Sequence, residues 1–147
     1  MKITHILMAE HAVFHNLFDH IEQVAPRLKT LAEIKMLAVL IDRVTAPHSK
    51  TEDALFIEPL EPSFQQLGQS ETFHQEHETI DAILAQVARA RDVKTARKLL
   101  LSAITTSRKH FDKEERLVFP LAERVLKTKT LTELGEAWFA KRDAKVK

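Results

Sequence analysis

Eight histidines (His5, His11, His15, His20, His48, His74, His77 and His110) stand in a chain of 147 residues that contains no cysteine. Imidazole and carboxylate donors at helical spacing suit first-row metal ions. Without cysteine there is no disulfide framework, thiolate zinc site or thiol nucleophile. Tyrosine is also absent, which excludes phenolate ligation and a tyrosyl radical. Three histidines are followed four residues later by glutamate: His48 by Glu52, His74 by Glu78 and His110 by Glu114. With 14 Glu in the chain, chance alone supplies about one such match. The spacing therefore acquires meaning only from where these residues fall on the elements that carry them.

Those elements are helices. Gly (2) and Pro (5) are scarce, while 18 Leu and 17 Ala dominate, a composition that excludes turn-dense β folds and favours an all-α chain. The length fits a single domain over 1–147 with one hydrophobic core. Period-3.6 patterning and breakers predict helices at about 4–24, 30–56, 70–90 and 93–126, with a short fifth at 131–143. Ser70, Asp92 and Thr130 are the expected caps of the last three, and the Pro59 to Pro62 pair the expected stop of the second. Pro47 implies a kink or a fresh start capped by Thr45, and Pro120 a bend. Four long helices with mostly short connections describe an antiparallel up-down-up-down four-helix bundle, whose ligand sites lie in the core between facing helices. Basic and acidic residues balance at 22 against 21, which gives no case for nucleic acid or an anionic membrane surface as partner. Apolar runs are too short to cross a bilayer, and His5, Glu10 and His11 interrupt the place of a signal peptide, so the expected residence is cytoplasmic.

Walking each helix in alternating steps of three and four shows which polar residues fall on the apolar seam. The walk reads Leu7, His11, Phe14, Phe18, Ile21 on the first helix, and Leu37, Ile41, Val44, His48, Glu52, Leu55 on the second, with one extra step of four. On the third it reads Phe73, His77, Ile80, Leu84, Val87, and on the fourth Leu100, Ala103, Ser107, His110, Glu114, Leu117, Leu121. Each helix thus aims one histidine inward, and two add a glutamate. In an antiparallel pair, residues at one height are equidistant from the connection. The midpoint of His11 and His48 lies between Lys29 and Thr30, that of His48 and His77 beside Pro62, and that of His77 and His110 just after Asp92. All four histidines therefore share one layer. Four imidazoles and two carboxylates at one height suit a pair of first-row metal ions; the alternative is a polar core layer satisfied within each helix and by trapped water.

The stretches MAEHAVFHNLFDHIE, HSKTEDALF, HQEHETI and HFDKEERLVFPL resemble the hemerythrin-like, or HHE cation-binding, family. The resemblance implies a non-haem centre of two iron ions, oxo- or hydroxo-bridged, with His11, His48, Glu52, His77, His110 and Glu114 as ligands. Classical oxygen carriers of this kind have a histidine pair four apart on the third helix, where this chain has Phe73 before His77. His74, about 60° round the helix, is either a substitute or a solvated or supporting residue. The classical spacing on the fourth helix would select Glu115; the HHE spacing selects Glu114, and Glu115 points about 100° off the seam. His15, one turn after His11, is an extra ligand, a proton donor or a seam-edge residue. His5 and His20 are expected on the surface.

Fewer histidines leave open positions for O2, NO or peroxide. The leading expectation is a di-iron protein that binds such a ligand for sensing, scavenging or iron handling. The alternatives are a peroxidase-like or NO-reducing enzyme on the same ligands, and a metal-free interaction module that forms a homodimer through Trp138 and Phe139.

Overall fold

Side-chain caps set two of the helix starts. The Thr30 hydroxyl accepts the Glu33 N–H at 3.3 Å and Asp92 accepts the Thr95 N–H at 2.8 Å, each satisfying a donor that the first helical turn leaves unpaired. The computed structural model describes residues 1–66 and 72–144, apart from the side chains of Thr72 and His74. Five helices account for nearly all of it, and no strand occurs among the described residues. Helix α1 is Ile3–Val24, followed by a 3-10 turn, Ala25–Arg27. Helix α2 runs without a break over 31–66, as Leu31–Glu52, a π turn Asp53–Ile57, and Glu58–Gln66. Helix α3 is Thr72–Arg89. Helix α4 covers 93–125 in the same three-part manner: Val93–Lys113, a π turn Glu114–Val118, and Phe119–Val125. Helix α5 is Thr128–Asp143.

The second helix does not stop before its prolines. Pro59 and Pro62 lie inside it: a proline φ is already helical, although each ring removes one N–H bond and crowds a carbonyl of the preceding turn. Burial of Leu60 and Phe64, 1% and 2% exposed, holds the segment in place. The long connection expected from Leu60 to Gln69 is thus helical to Gln66, and Ser70 falls outside the described residues. Pro47 likewise sits within continuous helix, so no new helix starts at Thr45. Pro120 lies in the first turn after the second π segment. Helix α5 begins at Thr128 with Lys127 at the cap position, ahead of the expected Thr130.

The π turns also correct the seam. A π turn closes its hydrogen bonds over five residues instead of four, so positions spaced by four stay on one face: His48, Glu52, Phe56, Leu60 and Phe64 on α2, and His110, Glu114, Val118 and Ala122 on α4, are all buried. A constant 3.6 period assigns Leu55 and Leu117 to the core instead. Leu55 is only partly buried, and Leu117 is 49% exposed.

Apolar side chains form two clusters. One holds Phe18 and Ile21 of α1, Ile34 and Ile41 of α2, Leu84 and Val87 of α3, and Leu100 and Ile104 of α4. The other holds Ile3 and Leu7, Phe56 and Leu60, Phe73, and Val118 and Leu121, closed by Leu131 and Trp138 of α5. On each of the first four helices the chain passes from one cluster to the other through the layer of histidines and glutamates. Leu117→Ala is expected to change stability by no more than about 0.5 kcal/mol, whereas Val118→Ala should cost about 1–3 kcal/mol. Urea melts of the two variants check the π register directly; equal losses would refute it.

Candidate metal centre

All six seam residues meet in the layer between the two cores. His11, His48, Glu52 and Glu114 are fully enclosed, His110 is 2% exposed and His77 8%. Aromatic rings screen them: Phe111 stacks on His11 at 4.1 Å between centroids, Phe14 meets His48 edge-on at 5.1 Å, and Phe73 flanks His110 at 6.3 Å.

Each histidine is held from behind by a carboxylate on its Nδ1. Glu10 of α1 accepts from His48 at 2.7 Å, and Asp53 of α2 from His77 at 3.1 Å. Glu76 of α3 accepts from His110 at 2.6 Å, and Glu115 of α4 from His11 at 3.1 Å. The pattern closes on itself, since the acid of each helix supports the histidine of the next and that of α4 returns to α1. With Nδ1–H given to a carboxylate, the tautomer is set and Nε2 presents a bare lone pair to the centre. These lone pairs converge: His11 and His48 Nε2 are 3.3 Å apart, and His77 and His110 Nε2 are 2.7 Å apart.

Facing them are the two glutamates. Glu114 Oε2 lies 3.3 Å from His11 Nε2 and Oε1 lies 2.8 Å from His110 Nε2; Glu52 Oε2 is 3.7 Å from His48 Nε2 and 3.8 Å from His77 Nε2. None of these contacts runs along a ring N–H, and all four carboxylate oxygens are buried without a hydrogen-bond partner. Among the described residues, two groups of donor atoms could hold a metal ion: Glu52, His77, His110 and Glu114, and His11, His48 and Glu52. Glu52 belongs to both.

A family model described as the hemerythrin HHE cation-binding domain matches residues 2–122. The chain belongs to this family. No curated protein and no solved structure matches it.

In this hemerythrin-family domain the donor set fits a cation on its own physical terms. Two ligand atoms about 2.1 Å from one ion and at ordinary coordination angles lie about 3.0–3.4 Å apart, the range in which His11 Nε2 stands from His48 Nε2 and from Glu114 Oε2. An unpaired buried ion costs several kcal/mol, and two of them would consume much of a total stability of about 5–15 kcal/mol. Without a cation the site must therefore hold protons. Burial pushes the Glu114 carboxyl up to about 8 against the pull of His77, and burial together with Glu114 pushes Glu52 well above the carboxylate range. Burial and the neighbouring imidazoles push His11 down to about 2. His77 is raised, because Asp53 and Glu52 outweigh its desolvation, so in metal-free protein a proton can occupy the short His77–His110 contact.

Among the other sequence candidates, Glu115 stands behind His11 instead of facing the centre. His15 turns away and accepts a hydrogen bond from Arg108 Nη1 at 2.9 Å. The side chain of His74 lies outside the described residues. His5 and His20 are exposed as expected. Glu10, Asp53 and Glu76 escaped the seam walk because they lie off the seam. Their signal was adjacency: Glu10–His11, Glu52–Asp53, Glu76–His77 and Glu114–Glu115 each pair a seam residue with an acid about 100° round the helix, and that acid faces the neighbouring helix.

Two outcomes follow from this arrangement. In metal-stripped protein the folded state keeps Glu114 protonated up to about 8 while the unfolded chain ionises it near 4.5, so wild-type stability is lost as pH rises through that window. Glu114→Gln removes this loss, and its melting temperature relative to wild type should climb from pH 5 to pH 8 in chelator; a flat difference would contradict the burial argument. Glu76→Ala, which removes the acceptor of the His110 Nδ1–H, should weaken metal binding about 10- to 100-fold by freeing the ring, measured by competitive chelator titration.

Proposed function

We propose that this chain is a cytoplasmic non-haem di-iron protein that binds O2, NO or peroxide for sensing, scavenging or iron handling. The observation that carries this reading is the shared carboxylate. His11 and His48 form one donor pair, His77 and His110 another, and Glu52 belongs to both groups while the two oxygens of Glu114 reach toward opposite pairs. Two ions would use every donor in the layer. The alternation of the two apolar clusters along successive helices supports an antiparallel four-helix arrangement for the bundle that holds them.

His11 and His48 would hold one ion, His77 and His110 the other, with Glu52 and Glu114 common to both. When bound, iron supplies a redox-active Lewis acid; six protein ligands leave positions open to a small ligand. The chain's own part is to orient the imidazoles through their Nδ1 hydrogen bonds, to exclude bulk water with Phe14, Phe73, Phe111 and Phe119, and to release the carboxyl protons as metal enters. Phe73 places an apolar ring beside the His77–His110 half, where classical oxygen carriers have a further histidine. That substitution favours ligand sensing or turnover over simple oxygen storage. The metal-free interaction reading loses one of its two anchors, since Trp138 is fully buried while Phe139 alone is exposed. No described helix is long and apolar enough to cross a membrane.

Elemental analysis of the purified chain is expected to give about two irons per chain, with the near-ultraviolet absorption of a bridged ferric pair. One zinc per chain, or no metal after iron reconstitution, would overturn the reading.

A further inference from the structure

The family match ends at residue 122, yet helix α5, beyond it, reaches the centre. Trp138 is fully buried, and its indole N–H donates to Glu10 Oε1 at 3.2 Å. The other oxygen of the same carboxylate accepts from His48 Nδ1 at 2.7 Å. The indole also meets the His48 ring edge-on at 5.4 Å between centroids. Four residues on, one turn of α5 away, Arg142 completes the contact: its guanidinium lies 5.6 Å from the centre of the Trp138 ring, and its Nη2 stands 3.7 Å from Glu10 Oε1. Glu10 is thus gripped at one oxygen by α5 and at the other by His48.

The two halves of the centre differ in this respect. The acid behind His110, Glu76, is held by Lys113 of the same α4 helix that carries the histidine, at 3.0 Å. The acid behind His48 depends on a separate helix that shares no ligand with the centre. From this difference we infer that Trp138 and Arg142 are positioning residues for the His48 half of the metal centre, so that occupancy of the centre and docking of α5 are energetically coupled. Coupling of this kind is reciprocal: whatever free energy α5 contributes to metal binding, the metal returns to the docking of α5.

This inference rests on the paired-centre reading above, and its tests separate the two. In the full-length chain, anaerobic Fe(II) titration of Trp138→Phe, which keeps a ring and loses the N–H, should weaken one of two binding steps about tenfold and leave the other unchanged. Arg142→Gln should shift the same step in the same direction. Loss of neither step, or equal loss of both, would overturn the inference. Circular dichroism of the metal-free variants shows whether α5 still folds. In wild type, independently of any variant, chelation should raise amide hydrogen exchange in 128–143 more than in 80–89; unchanged exchange in 128–143 overturns the coupling. A wild-type chain that takes up a single ion defeats the paired centre alone, and the ratio of that ion's affinity between wild type and Trp138→Phe then decides the role of α5. One that takes up none overturns both.

Discussion

Two carboxylates sealed away from water are the demand that the rest of the molecule answers. Glu52 and Glu114 are wholly buried and none of their oxygens accepts a hydrogen bond. In a bundle of this size, where the margin of stability is small, such groups persist only when positive charge or protons compensate them. The four imidazoles are arranged for the first solution: each spends its Nδ1–H on an outer carboxylate and turns Nε2 inward, which leaves lone pairs, not donors, facing the glutamates. A site built for hydrogen bonding would have turned at least one ring the other way.

The surrounding fold follows from that demand. A polar layer in mid-bundle divides the apolar interior into two clusters. Each must be large enough to hold its end of the helices without help from the layer between. The π turns beginning at Asp53 and Glu114 are part of the same solution. Placed at the two glutamate-bearing turns, they keep a four-residue spacing on one face, so that a histidine, a glutamate and the apolar residue after it all point inward.

The chemistry of the site was legible in the sequence to the extent that it obeys a period. His11, His48, Glu52, His77, His110 and Glu114 fall on seams that a 3.6 repeat predicts, and the structure brings all six together. Leu55 and Leu117 were misplaced because a π turn inserts a residue into the repeat, and nothing in local composition announces it. The continuation of α2 through Pro59 and Pro62 was hidden for a related reason: proline marks a lost hydrogen bond, but the burial of Leu60 and Phe64 that outweighs the loss is a tertiary fact. Glu10, Asp53 and Glu76 were invisible to a search for seam residues, and they become visible once each seam residue is read with its immediate neighbour.

The ring of acid–imidazole hydrogen bonds has a consequence for how the protein comes into being. No helix carries both a histidine and the acid that orients it, and the partners are separated in sequence by 38, 24, 34 and 104 residues. The last of these bonds joins α4 back to α1, so the circle cannot close on a ribosome-bound fragment that lacks α4. A nascent chain that lacks α4 has neither His110 nor Glu114, and its His11 lacks the acid that orients it. The complete donor set, His110 and Glu114 included, therefore comes together only when α4 docks, at the same moment that its apolar residues close the two clusters over the layer.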